Sequence, residues 1–109
     1  MTKKEYLLNK IMEEAAEVIV IAAKYKSFGP DSFSPFDETK TTNKTNLGRE
    51  LVDLMAVIQM AGQEGMMHDL SPKDWEAQVN AKIEKVEKYM EASRECGILE
   101  KESAVVATD

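Results

Sequence analysis

Two pairs of acidic residues in this sequence could carry out chemistry. They are Glu14 with Glu17 and Glu50 with Asp53, and each pair has the spacing that places two side chains on one face of a helix. Both pairs lie in otherwise apolar surroundings. Burying unpaired carboxylates costs free energy or forces their protonation, so we expect a positive charge between the two pairs.

The two pairs interrupt apolar stripes. Steps of three and four residues, which define one helix face, give Leu7, Ile11, Glu14, Val18 and Ile21 in one segment and Leu47, Glu50, Leu54, Val57 and Ala61 in another. The pattern predicts Glu14 and Glu50 on the surfaces where two helices meet. Glu17 and Asp53 are expected one turn along from them.

A metal ion or basic side chains could supply the positive charge. Oxygen ligands without His or Cys beside them suit Mg²⁺, with Mn²⁺ as a substitute. Zinc is disfavoured, because the one histidine, His68, lies beyond the second helical segment. The alternative is a salt-bridged helix interface, with basic residues near enough in sequence to take part: Lys10, Lys24 and Arg49. Both interpretations stay open on the residues alone.

A carboxylate site that holds Mg²⁺ indicates a phosphate-bearing ligand, because the ion bridges carboxylates to phosphate oxygens. Glu14 or Glu17 is the candidate for orienting or deprotonating a water that attacks phosphorus. The sequence has no glycine-rich phosphate loop. Lys82 and Lys85 are therefore the candidate phosphate contacts, and their alternative interpretation is simple surface charge.

A third acidic pair, Glu84 and Glu87, has the same spacing but different neighbours. Lysines surround it, and it lies off the apolar stripe of its segment. We interpret it as a solvated, salt-bridged helix face.

Three segments have helical periodicity, and none shows the alternation typical of strands. The first runs from about Lys3 to Lys26. The second starts near Asn46, as N-cap, and runs to Gly65. The third opens at Ser71, with Pro72 in its first turn, and runs to about Cys96, with Gly97 as the stop signal. The sequence predicts an all-α fold.

A long connection, residues 27–45, joins the first two segments and holds every phenylalanine of the chain: Phe28, Phe33 and Phe36. The favoured interpretation is an ordered surface loop with its aromatic rings tucked beneath it. The alternative is a lid with an aromatic face for a planar ligand such as a nucleobase.

The chain of 109 residues has room for one domain, predicted over 1–99, with a flexible tail at 100–109. The first helix is apolar on nearly every side from Ala15 to Ala23, so we expect a helical bundle completed by homo-oligomerisation. A formal charge of -6 argues against nucleic acids and anionic membranes as partners. A lone cysteine and the lack of a membrane-spanning stretch favour the cytoplasm.

The segments Glu13–Glu17 and Glu50–Leu54 resemble the paired ExxE and ExxD motifs of the MazG-like, all-α nucleoside triphosphate pyrophosphohydrolases. Asn80–Lys85 resembles the lysine-bearing helix that follows in that family, and the likeness extends over roughly Glu5–Tyr89. The enlarged connection between the two motifs departs from the family pattern and leaves the choice of base open.

The resemblance implies a homodimer or homotetramer that hydrolyses nucleoside triphosphates to monophosphate and pyrophosphate. It implies Mg²⁺ ligands at Glu14, Glu17, Glu50 and Asp53, and substrate contacts at Lys82 and Lys85. Two further hypotheses compete with this enzyme: a non-enzymatic dimeric helical interaction module, and a nucleotide sensor that binds metal without turnover.

Overall fold

The computed structural model describes residues 1–68 and 71–102, and within them every regular element is an α-helix. The helices are α1 (Lys3–Phe28), α2 (Asn43–Gln63) and α3 (Pro72–Glu95). The predicted all-α class is confirmed for these residues. None of the three helices combines the length and the apolar character that crossing a bilayer requires.

Hydroxyl side chains cap the start of every helix. The caps are Thr2, Thr42 and Ser71, and each accepts a hydrogen bond from the backbone N–H three residues later. The predicted cap at Ser71 is confirmed, and so is the stop at Gly97, whose φ of 76° suits glycine. The predicted cap at Asn46 is wrong, because Thr42 takes that role and the cap lies four residues earlier than expected.

The helices α1 and α2 pack against each other through the predicted stripes. Leu7 and Ile21 of α1 and Ala61 of α2 are buried, and the other stripe positions are all partly buried. Lys3 Nζ lies 2.6 Å from Glu64 Oε1, which joins the start of α1 to the end of α2. At the opposite end, Asn43 donates to a carbonyl of α1. The two helices therefore form an antiparallel hairpin.

The loop between α1 and α2 is ordered by hydrogen bonds to its own backbone and to α2. The carbonyls of Pro30 and Ser32 accept from the N–H groups of Lys44 and Asn43, each at 2.9 Å. These two N–H groups lie in the first turn of α2, where a helix has no internal acceptor for them. The loop therefore supplies hydrogen-bond acceptors for the first turn of α2, and the same bonds hold the loop against that helix end.

The rings of the loop do not follow the favoured interpretation. Phe28 is 72%, Phe33 is 42% and Phe36 is 92% exposed, so none is tucked into a satellite core beneath the loop. Phe28 and Phe33 line a cavity described below, whereas Phe36 is not among the residues that line it.

Internal contacts divide the chain into two units, Met1–Asp69 and Leu70–Asp109. In the second, the chain turns after α3 so that the N–H groups of Ile98 and Leu99 both donate to the Ser93 carbonyl. Arg94 reaches Glu91 and Glu102 at 3.3 Å each. Of the predicted tail, residues 103–109 lie outside the described residues.

Candidate metal centre

Three carboxylates meet between α1 and α2. One oxygen from each of Glu14, Glu50 and Asp53 lies within 4.8 Å of the other two. Glu14 comes from α1 and the other two from α2, so the packing of the predicted stripes brings them together. Glu17, one turn along α1 from Glu14, lines a small cavity together with Glu50. All four acidic residues of the two predicted pairs therefore border one region.

Burial divides this cluster into an inner and an outer part. Glu14 and Glu50 are partly buried, and each has a carboxylate oxygen, Oε2, that is shielded from solvent and accepts no hydrogen bond from the described residues. Glu17 and Asp53 are exposed. A buried carboxylate oxygen without a partner is unfavourable, and a hard cation is the kind of ligand that would compensate it.

The surroundings favour the protonated form of the two inner carboxyl groups. Burial is the main cause that raises the pKa of Glu14 above its usual range, and the negative charges of Glu17 and Asp53 add to it. Burial is also the main cause that raises the pKa of Glu50, and the neighbouring carboxylates of Glu17, Asp53 and Glu14 add to it. A divalent cation would reverse this effect, because it favours the ionised carboxylates.

The basic side chains considered as alternative partners do not neutralise the cluster. Within residues 1–68 and 71–102, no Lys, Arg or His nitrogen lies within 4.0 Å of a carboxylate oxygen of these four acids. Lys10 instead pairs with Glu13 at 3.2 Å, and this contact raises the pKa of Lys10. Lys24 and Arg49 make no ion pair with the described residues.

The predicted phosphate contacts, Lys82 and Lys85, lie on α3 and are exposed. Glu84 and Glu87 of the third acidic pair are exposed on the same helix, in agreement with a solvated face. The two lysines belong to the second unit, and the carboxylate cluster belongs to the first. Their role as substrate contacts stays a prediction.

In the first unit, one cavity borders two of the carboxylates and a second cavity shares part of its lining. The smaller, of about 280 Å³, is lined by Glu17, Val20, Ile21, Lys24, Asn46 and Glu50. The larger, of about 340 Å³, lies against the loop, and three of its lining residues, Ile21, Lys24 and Asn46, are shared with the smaller one. The cavities therefore adjoin, and together they lead from the loop to the acidic cluster.

Sequence reasoning missed Asn43, which is 6% exposed and lines the larger cavity. Its Nδ2 donates to the carbonyls of Gly29 at 3.0 Å and Lys24 at 3.4 Å. The signal in the sequence was a polar residue at the start of a helix, but such residues are common there, and the helix was predicted to start later. Only the fold of the loop distinguishes Asn43 from its neighbours.

Comparison with models of protein families found no match, and neither did comparisons with curated proteins and with solved structures. The resemblance to the MazG-like pyrophosphohydrolases therefore rests on the residues of the chain itself.

Proposed function

We propose that this protein is a Mg²⁺-dependent pyrophosphohydrolase that cleaves nucleoside or deoxynucleoside triphosphates to monophosphate and pyrophosphate. The observation that carries the proposal is the pair of buried, unpartnered oxygens of Glu14 and Glu50, whose carboxylates lie with that of Asp53 within 4.8 Å. Carboxylates from two helices, which form no ion pair within 4.0 Å in the described residues, are a donor set that suits Mg²⁺ or Mn²⁺.

In this mechanism Glu14, Glu50 and Asp53 hold the ion, with Glu17 as a fourth ligand or as the group that positions water. Bound Mg²⁺ supplies charge neutralisation and polarises the phosphate oxygens. Glu17 is exposed beside Glu50, where it can accept the proton of a water that attacks phosphorus. The bond between the α- and β-phosphates breaks, and pyrophosphate leaves with the bridging oxygen. Lys82 and Lys85 would balance the charge of the leaving group.

The protein is proposed to act as a homodimer or homotetramer. Large apolar side chains on α1 remain more than half exposed within one chain: Met12, Ile19 and Val20. Since α1 is apolar on several faces and α2 covers only one of them, a second copy of the chain is the partner that would bury the rest. Analytical ultracentrifugation tests this. We expect a dimer or tetramer that dissociates in Ile19→Glu but not in Lys26→Glu, which changes an exposed residue of the last turn.

Release of pyrophosphate tests the enzymatic proposal directly. The full chain is incubated with each common ribo- and deoxyribonucleoside triphosphate in Mg²⁺, and pyrophosphate is measured. We expect turnover of at least one nucleotide, its loss in Glu50→Gln, and full activity in Glu84→Gln, which makes the same change on α3. Turnover that survives in a folded Glu50→Gln variant would overturn this mechanism.

The exposed apolar surface also favours a second candidate function, a non-enzymatic helical interaction module. That candidate predicts no metal binding and no hydrolysis. A nucleotide sensor, in turn, would bind Mg²⁺ and nucleotide and release no pyrophosphate. The nucleotide panel together with a Mg²⁺ titration distinguishes all three.

A further inference from the structure

The larger cavity has the dimensions and lining of a small-molecule site. Its volume of about 340 Å³ falls within the range of roughly 300–1,000 Å³ that is usual for such sites. Phe28, Phe33 and Ile21 provide apolar walls, and Asn43 provides a buried amide. Six further lining residues are polar: Lys24, Ser32, Ser34, Asp37, Thr41 and Asn46. Two aromatic rings beside several polar groups suit a planar organic ligand that also carries hydrogen-bonding groups.

The hydrogen bonds of Asn43 fix the orientation of its amide. Both hydrogens of Nδ2 are used, because Nδ2 donates to two backbone carbonyls at the end of α1. The oxygen Oδ1 therefore points away from those carbonyls, and it accepts no hydrogen bond from the described residues. A ligand in the cavity with an N–H donor would satisfy it.

The position of the cavity indicates which second chemical group the ligand has. The larger cavity shares Lys24 and Asn46 with the smaller one, which reaches Glu17 and Glu50. A molecule that fills both cavities has a planar group at the loop and a metal-binding group at the carboxylates. A nucleotide has this arrangement, since its base and its phosphates lie at opposite ends of the sugar.

We propose that the loop cavity binds the base of the substrate, with Phe33 as a stacking surface and Asn43 Oδ1 as the acceptor for a base N–H. This assignment rests on the function proposed above. Phe33 lines the cavity and is 42% exposed, so its side chain is accessible to a ligand there. Phe36 is 92% exposed and is not among the residues that line the cavity, so it serves as the matched control.

Binding of uncharged deoxynucleosides tests the site without metal or phosphate. The four 2′-deoxynucleosides are titrated against the full chain and followed by saturation-transfer NMR. We expect at least one deoxynucleoside to bind. Phe33→Ser should weaken its affinity about tenfold through loss of stacking, and Phe36→Ser should leave the affinity unchanged. If no deoxynucleoside binds, or if both variants weaken binding equally, the assignment is wrong.

The side-chain amide of Asn43 gives a second measurement that needs no variant. In ¹⁵N-correlated spectra we expect its NH₂ signals to shift on addition of the bound deoxynucleoside. The side-chain NH₂ signals of Asn80 on α3 should not shift. Unchanged Asn43 signals in the presence of bound nucleoside would exclude it as the acceptor.

The Glu50→Gln variant separates this inference from the proposed function. We expect it to bind the deoxynucleoside as the unchanged protein does, because the base site needs no metal. Nucleoside binding without hydrolysis of any nucleotide would reject the enzyme and keep the cavity as a nucleoside site. If Phe33→Ser hydrolyses nucleotides with the same preference as the unchanged protein, the enzymatic proposal stands and the cavity is not its base site.

Discussion

The carboxyl groups of Glu14 and Glu50 meet across the contact between α1 and α2, and each holds an Oε2 oxygen that is buried without a partner among the described residues. Each lies at a stripe position that an apolar residue would fill without cost. Because burial and mutual repulsion both favour protonated carboxyls, the ionised form of the cluster destabilises the fold, and the proposed cation would relieve this cost.

The first prediction concerns thermal stability in Mg²⁺. An ion at one hundred times its Kd stabilises the folded state by about 2.7 kcal/mol, which raises the Tm of a chain of this size by roughly 10 °C. We expect such an increase for the unchanged protein in differential scanning fluorimetry. In Glu50→Gln the increase should disappear, while the Tm without metal should rise because a like charge has been removed.

The matched control is Glu84→Gln on α3, which should keep both the original Tm and the response to Mg²⁺. An equal response to Mg²⁺ in Glu50→Gln and in the unchanged protein would argue against an ion at this cluster. A lower Tm for metal-free Glu50→Gln would show that the carboxylate stabilises the fold, contrary to the pKa direction.

The second prediction follows from the raised pKa values of Glu14 and Glu50. Between the ordinary glutamate pKa and the raised ones, the folded state binds more protons than the unfolded state. Their contribution to stability is therefore fully present below the ordinary pKa and is lost as the pH rises through the raised values. Urea midpoints measured from about pH 4 to pH 8 should show this decline without metal.

Saturating Mg²⁺ should remove that decline, because the ion binds the ionised carboxylates and favours folding at the higher pH. The double variant Glu14→Gln with Glu50→Gln should also lack it. If the double variant keeps the same decline, the titrating groups lie elsewhere in the chain.

The meeting of Glu14 and Glu50 could be predicted because it depends on helix periodicity alone. Once Leu7, Ile21 and Ala61 are assigned to the faces that pack, the geometry of a helix places both glutamates in the same contact. The cap at Ser71 and the stop at Gly97 were also predictable, since each acts on residues within one turn.

The start of α2 and the loop cavity could not be predicted in the same way. Thr42 and Asn46 are both suitable caps, and the choice between them depends on the carbonyls of Pro30 and Ser32, which reach the first turn of α2 from the loop. Contacts between residues more than ten positions apart leave no periodic pattern in the sequence. The burial of Asn43 and the exposure of the loop rings depend on the same contacts.

The third prediction tests Asn43 as the residue that holds the two helix ends together. Asn43→Ala removes the bonds to Gly29 and Lys24 and leaves two carbonyls without that donor. We expect a loss of about 1–3 kcal/mol in the free energy of unfolding, measured in urea. Asn46→Ala is the control and should change it by less than about 0.5 kcal/mol. Equal losses in both variants would show that the bonds of Asn43 have no special role.

The fourth prediction concerns Asp37, whose carboxylate orders the loop. It accepts from the Thr39 N–H at 2.9 Å, the Thr39 hydroxyl at 2.6 Å and the Thr41 N–H at 3.1 Å. The bond with the Thr39 side chain is the main cause that lowers the pKa of Asp37. Asp37 therefore stabilises the loop above the ordinary aspartate pKa, and this contribution is lost as the pH falls through the lowered value.

Limited proteolysis by chymotrypsin, which cuts after aromatic residues, measures the order of this loop. Asp37→Ala should be cut severalfold faster after Phe33 or Phe36, because the bonds that hold the adjacent turn are gone. Asp31→Ala, an exposed change in the same loop, should be cut at the original rate. If Asp37→Ala is also cut at that rate, the bonds from Pro30 and Ser32 to α2 are enough to order the loop. The base site proposed in the cavity would then depend on those bonds rather than on the Asp37 turn.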